Sequence, residues 1–339
     1  MFDPIKASKE IKDSYIDYIT TTFDMADTDY EREFRKELQT DGMVASGPFL
    51  DIGGSYETGH TLRELIQAQK ASVLFERLEP VAEKERELKL DRPLYQHQET
   101  AMLKADKGEN LVVTTGTGSG KTESFLLPII NHLLREQEAG TLSAGVRAII
   151  IYPMNALAND QMKRMRALFK NYPQICYGVY NGNTEHTQSK ALAEYHRTYH
   201  DEAGEPIDPA PNEIISREVM QERPPHILIT NYSMLEYMML RPKDDAVFSG
   251  AKLKFIVLDE AHIYKGATGM ETSLLMRRLR ARISEPDSVQ YILTSATLGG
   301  PDADGDILSF AEKLCGVAFQ RSGIIRSTEK RPAMEDFLD

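Results

Sequence analysis

Five short runs constrain the fold of this 339-residue chain more than any other feature: LVVTT at 111–115, AIIIY at 148–152, ILIT at 227–230, FIVL at 255–258 and YILT at 291–294. Each is apolar and β-favouring at nearly every position rather than at alternate ones. A strand of that kind is buried on both faces. Stretches of helix-forming residues separate the runs, and such an alternation folds into a parallel sheet covered by helices. The chain therefore reads as an α/β protein. In open sheets of this class ligands bind beyond the carboxyl ends of the strands, so the residues that follow each run are where chemistry is expected.

The first run continues into TGTGSGKT at 115–122 and then into the helical stretch SFLLPIINHLL at 124–134. Glycines let a backbone curl until several N–H groups point at one anion. The helix that follows adds its positive N-terminal end. Thr117, Gly118, Ser119 and Gly120 form the cradle, Lys121 reaches the β- and γ-phosphates of a nucleotide, and the Thr122 hydroxyl meets a magnesium ion. The pattern departs by one residue from G-x-x-x-x-G-K-[ST], because Thr115 stands at the first glycine. The dinucleotide pattern G-x-G-x-x-G is not met, since Gly120 arrives one residue early.

The fourth run ends in two carboxylates, FIVLDEAH at 255–262. At a strand end beside a phosphate loop, Asp259 can hold magnesium through water, and Glu260 can orient and deprotonate an attacking water. His262 is placed to relay contacts between the nucleotide and other segments. Four residues alone are a weak signal; the buried strand before them and the loop upstream give them weight.

The order GTGSGKT, DEAH, Ser295-Ala296-Thr297 resembles superfamily 2 DEAD/DEAH-box helicases. YPMNALANDQ at 152–161 and ITNYSML at 229–235 resemble that family's elements that touch the nucleic-acid backbone, and LYQHQ at 94–98 sits where the family keeps its adenine-reading glutamine. The wording is similar to large bacterial helicases of the Lhr-like and MrfA-like group, and the opening stretch at 3–23 to helicases of phage-defence systems such as DISARM. The resemblance implies a RecA-like P-loop NTPase domain, a parallel sheet flanked by helices, with a helical N-terminal extension. It implies ATP and Mg2+ as ligands, Gln98 as adenine reader, and Ser295 and Thr297 as the coupling element. Pro153, Asn155, Thr230 and Asn231 become candidate nucleic-acid contacts, at strand ends beside the ATP motifs. The partners implied are single-stranded or duplex nucleic acid, DNA in preference to RNA, and a second RecA-like domain in cis or in trans. The chain stops about forty residues after 295–297, so the expectation is a motor lacking its second half. Such a chain would hydrolyse ATP slowly, or act as a nucleotide-gated binding or assembly module without turnover of its own.

On this reading residues 1–90 are a helical accessory region, 91–320 the ATP-binding domain and 321–339 a tail or linker. Helices are expected over 5–23, with Asp3 as cap and Pro4 in the first turn, and over 61–90 with a break near Pro80. GPFLDIGGSYETGH at 47–60 marks a loop or hairpin. The polar stretch 184–225, with DEAGEPIDPAPNE, reads as a mobile surface insertion.

A net charge of −12 argues against binding nucleic acid through overall charge. Local basic strips remain, Lys163–Arg164–Met165–Arg166 with Lys170, and Arg277–Arg278–Leu279–Arg280 with Arg282. Each is either a phosphate contact or a helix face with ion pairs. YNGN at 180–183 is either a strand-end contact or a plain turn. Cys176 and Cys315 cannot make a zinc set and read as buried or partly buried thiols, which fits a reducing cytoplasm. No apolar run approaches the roughly 18 residues of a membrane span, and the start lacks the apolar stretch of a signal peptide.

Overall fold

The computed structural model describes residues 3–23, 25–40, 42–47, 56–79, 88–116, 118–201, 203–296, 299 and 301–330. The chain divides into two compact units, 1–54 and 55–339. In the first, helix α1 (Pro4–Thr22) is followed by α2 (Thr28–Gln39). Asp3 caps α1 by accepting from the Ile5 and Lys6 amides at 3.0 and 3.2 Å. Asp27 caps α2 in the same way. Arg35 of α2 pairs with Asp17 of α1.

The second unit begins with strand β1 (Thr58–Thr61) and helix α3 (Leu62–Gln67), then β2 (Pro93–Tyr95), antiparallel to β1, and α4 (Gln96–Asp106). The remaining elements are β3 (Leu111–Thr114), α5 (Lys121–Glu138), β4 (Ala148–Ile151), α6 (Asn155–Phe169), β5 (Tyr177–Tyr180), α7 (Gln188–Thr198), β6 (Glu213–Ile214), α8 (Arg217–Glu222), β7 (Ile227–Thr230), α9 (Tyr232–Leu240), α10 (Asp245–Phe248), β8 (Phe255–Leu258), α11 (Gly266–Arg282), β9 (Gln290–Ser295), α12 (Asp304–Cys315) and β10 (Ile324–Arg326). The main sheet has eight strands in the order β10-β3-β9-β8-β4-β7-β5-β6, all parallel.

All five apolar runs are strands of this sheet, and alternate side chains enter opposite cores. Ile150, Ile229, Val257 and Ile292 pack with α4, α5 and α6 on one face. Ile149, Ile151, Leu228, Ile256 and Leu293 pack with α9, α11 and α12 on the other. Each such side chain contributes roughly 1.5–3 kcal/mol when fully buried, which is why strands of only four residues hold. Three sheet strands fall outside the five runs. β5 carries tyrosine and glycine, β6 has two residues, and β10 lies in the expected tail. Residues 331–339 of that tail lie outside the described residues.

Two segments differ from their sequence reading. In place of a long helix over 61–90, α3 ends near Gln69, whose φ is +58°, and a 3-10 turn covers Val73–Arg77. Folding back lets Leu62, Leu65, Phe75 and Leu78 enter one core. Pro80, the expected break, lies outside the described residues. The stretch 184–225 carries α7, β6 and α8, because its polar residues point inward. Asn212 donates to the carbonyls of Phe169, Tyr172 and Ile175 at 3.3, 3.3 and 2.9 Å, and the buried Glu213 receives Arg166. Among the described residues no helix is long and apolar enough to cross a membrane.

Candidate nucleotide and nucleic-acid site

The carboxyl ends of β3, β9 and β8 are neighbours, and three sequence motifs meet there. The phosphate loop leaves β3 with Gly118 and Gly120 at φ +75° and +73°, left-handed positions that suit glycine. A Cβ on Gly118 would meet open space, so the loop faces outward. From within, α4 grips it. The His97 ring Nε2 donates to the Ser119 carbonyl at 2.9 Å, and Gln98 Nε2 donates to the Gly120 carbonyl at 3.1 Å. Burial pushes the His97 pKa down, so the neutral ring is favoured. The Thr115 and Ser119 hydroxyls are bonded at 2.6 Å. Thr117 lies outside the described residues. Gln98 Oε1 accepts from the Tyr95 amide at 2.9 Å, so both ends of this buried amide are engaged within the protein.

Lys121 opens α5, and its Nζ donates to Glu260 Oε1 at 3.1 Å. Thr122 follows in the first turn. Asp259 directly follows β8, and its carboxylate accepts from the Thr294 hydroxyl of β9. The same hydroxyl lies 3.3 Å from the Glu260 amide. Sequence reasoning missed Thr294; its signal was its place immediately before the SAT triplet. Burial pushes the Asp259 carboxyl pKa up and Glu260 adds to this, while Thr294 and Lys121 pull it down. Glu260 itself sits at φ +48°, ψ +48°, a conformation that costs a residue with a side chain roughly 1–2 kcal/mol. Held strain of this kind concentrates at functional sites. His262 Nδ1 lies 3.3 Å from Glu260 Oε2 and 3.1 Å from Ser295 Oγ. Thr297 lies outside the described residues.

The structure therefore brings Lys121, Asp259, Glu260, His262 and Ser295 together, with Thr122 adjacent. Glu260 is paired with Lys121, Asp259 beside it has the Thr294 hydroxyl as its hydrogen-bond donor, and burial holds Asp259 against its ionised form. That donor set suits a divalent cation with a polyphosphate, because the cation would supply the missing positive charge.

Farther along the same edge, Pro153 and Asn155 follow β4, and Asn231 follows β7. Asn231 Nδ2 donates to Asn155 Oδ1 at 2.8 Å, while its Oδ1 caps α9 through the Met234 amide at 2.8 Å. Thr230 departs from its expected place. It is buried, and its hydroxyl donates to the Tyr180 carbonyl at 2.7 Å, so it braces β5 instead of facing outward. The basic strips resolve toward ion pairs. Arg164 pairs with Glu123, Arg166 with Glu213, Arg278 with Glu236, Arg280 with Asp287 and Arg282 with Asp245. Arg277 donates to the Ser273 and Lys313 carbonyls. The loop after β5 is a turn in which the Asn181 side chain accepts from the Asn183 amide.

The family model for DEAD/DEAH box helicases matches residues 95–203 and 204–304. Druantia protein DruE of Escherichia coli is 32% identical over 96% of this chain, which covers 22% of that relative. The uncharacterised ATP-dependent helicase YprA of Bacillus subtilis is 31% identical over 64% of this chain and 24% of its own length. The chain thus spans about a quarter or less of these relatives. Among solved structures, the DUF1998 helicase MrfA bound to DNA and AMPPNP is similar with a TM-score of 0.53 at 22% identity, over 80% of this chain and 30% of that one. A DEAD-box helicase bound to ssRNA and UDP-BeF gives 0.57 at 17% identity, over 80% and 46%. At these identities the likeness is one of fold.

Proposed function

The chain belongs to the DEAD/DEAH box helicase family, and from that premise we propose that it is the ATP-binding motor domain of a nucleic-acid-dependent ATPase. Residues 91–320 form the motor on this reading, 1–90 an accessory region and 321–339 a tail or linker. One observation carries the reading most: the contact of Lys121 with Glu260, with Asp259 beside them, at the mouth of the phosphate loop. ATP takes the loop, with its phosphates on the amides of residues 117–120 and on Lys121 and its adenine against Gln98. Thr122 and Asp259 would hold magnesium, which when bound would supply positive charge to the phosphates. Glu260 releases Lys121 to the phosphates, orients a water and takes its proton. His262 and Ser295, with Thr297, pass the state of the site to nucleic acid lying over Pro153, Asn155 and Asn231. A second RecA-like domain, in cis or in trans, closes the open side of Gly118 and brings an arginine to the transferring phosphoryl. Where measured, that residue is worth about 10³–10⁵ in rate.

A second reading is a nucleotide-gated binding or assembly module without turnover. The Lys121–Glu260 pair favours it, since each group occupies the other until something separates them. DNA is preferred over RNA, and a role in phage defence is proposed, both on resemblance alone. The test is ATP hydrolysis with no nucleic acid, with single-stranded DNA and with single-stranded RNA. Stimulation by DNA, lost in Lys121→Ala by about 10²–10³-fold, supports the enzyme. ATP binding without turnover under all conditions favours the module, and no ATP binding sinks both.

A further inference from the structure

Glu123 has no role in the reading above, yet it lies beside the phosphate loop. It is in the first turn of α5, directly after Thr122. Its Oε2 is buried and accepts no hydrogen bond, and lies 3.0 Å from the point where a Cβ would project from Gly120. A carboxylate at a helix N-terminus is stabilised by the helix dipole. The same dipole is what a phosphate uses, so a bare carboxylate there competes with the ligand and repels it. The Arg164 guanidinium, on α6, pairs with the other oxygen of Glu123. Both side chains are largely withdrawn from solvent, at 20% and 17% exposure, so the pair is weakly screened.

We propose that Arg164 is a positioning residue for triphosphate binding: it cancels the Glu123 carboxylate beside the phosphate loop and holds it off the phosphates. Arg164 belongs to a basic strip in the sequence, and its work is inside the protein instead. The inference rests on the reading that the loop binds ATP, and it assigns a residue that the phosphate-loop pattern does not include. Charge decides the expected behaviour. With Arg164 gone, repulsion grows with the number of negative charges on the ligand, so ATP suffers more than ADP. Removing the Glu123 charge as well removes the repulsion.

The test measures ATP and ADP affinity by titration calorimetry for the wild-type chain, Arg164→Met, Glu123→Gln and the double variant, each checked for cooperative thermal unfolding. Arg164→Met is expected to weaken ATP by between roughly 5- and 150-fold, the usual span of a coupling between sites. ADP should weaken less, and the double variant should return to near wild type. The Glu123→Gln variant should bind ATP at least as well as wild type. Unchanged ATP affinity in Arg164→Met overturns the inference while leaving the ATP reading intact. An equal loss for ATP and ADP that Glu123→Gln does not restore also overturns it, as a merely structural role. A wild-type chain that binds no nucleotide overturns both.

Discussion

The two ends of the sheet treat buried charge in opposite ways. At the amino end of β4, Arg147 is fully buried and each of its three guanidinium nitrogens has a partner. Its Nε donates to Glu136 at 2.9 Å, its Nη1 to the Gly145 carbonyl at 2.8 Å, and its Nη2 to the Ser143 carbonyl and hydroxyl at 3.1 and 3.0 Å. At the carboxyl end, Glu260 is paired with Lys121 and sits in a left-handed conformation, while Asp259 beside it accepts from the Thr294 hydroxyl. The difference separates charge that holds the fold from charge kept available to a ligand. If it is real, each end should fail in its own way when altered.

The largest effect belongs to the carboxyl end. Glu260→Gln keeps the shape of the side chain but cannot take a proton. Turnover should fall by about 10²–10⁴-fold, the range of a general base, while nucleotide affinity holds or rises as Lys121 is freed. Steady-state ATPase and equilibrium binding on the same preparation check this. Equal losses in both would mean that Glu260 shapes the site rather than reacting in it.

The amino end should answer in stability alone. Arg147→Met removes a buried guanidinium and leaves the half-buried Glu136 with His132 as its remaining partner, at a cost of about 1–3 kcal/mol. Urea unfolding reads the loss directly. Nucleotide affinity of the folded fraction should be unchanged at low temperature. A smaller but more telling change is Glu260→Gly, which removes the left-handed penalty. It should add about 1–2 kcal/mol of stability in a protein that no longer turns over. A loss of stability would mean that the Glu260 contacts with Lys121 and His262 outweigh the strain.

Only the carboxyl-end half of this contrast was legible in the sequence. Runs apolar at every position demanded a doubly covered parallel sheet, and the motifs at their ends fixed where chemistry would gather. What was hidden had physical reasons. Charge in a sequence does not say whether it is free, so Arg164 and Arg166 could be read as phosphate contacts or as ion-paired, and only the fold brings up Glu123 and Glu213, far off in sequence, as their partners. Thr294 looked like one more strand residue, because its hydroxyl matters only once β9 lies beside β8. Polar composition disguised 184–225 as a loose insertion, since Asn212 and Glu213 are buried by bonds that no local pattern reveals.

The finest test sets the two carboxylates against each other by pH. Burial pushes the Glu136 pKa up, but His132 and Arg147 outweigh it and hold the net value below the ordinary range. A carboxyl depressed in the folded state stabilises above its unfolded value, and that stability is lost as pH falls through the folded one. Asp259 is raised instead, by burial first and then by Glu260. Its folded form takes up a proton before its unfolded form does, so its effect is a penalty. That penalty is absent in acid, grows as pH rises above about 4, and is complete once Asp259 ionises. Asp259→Asn should therefore raise the unfolding temperature at neutral pH and leave it nearly unchanged in acid. Arg147→Met should lower it most at neutral pH. Magnesium with ATP should cancel the Asp259 penalty, because a metal ligand must be deprotonated, and the gain in midpoint should grow as pH rises. A neutral-pH midpoint that Asp259→Asn does not raise would mean that solvent reaches this carboxylate freely, and the asymmetry between the two ends would not hold.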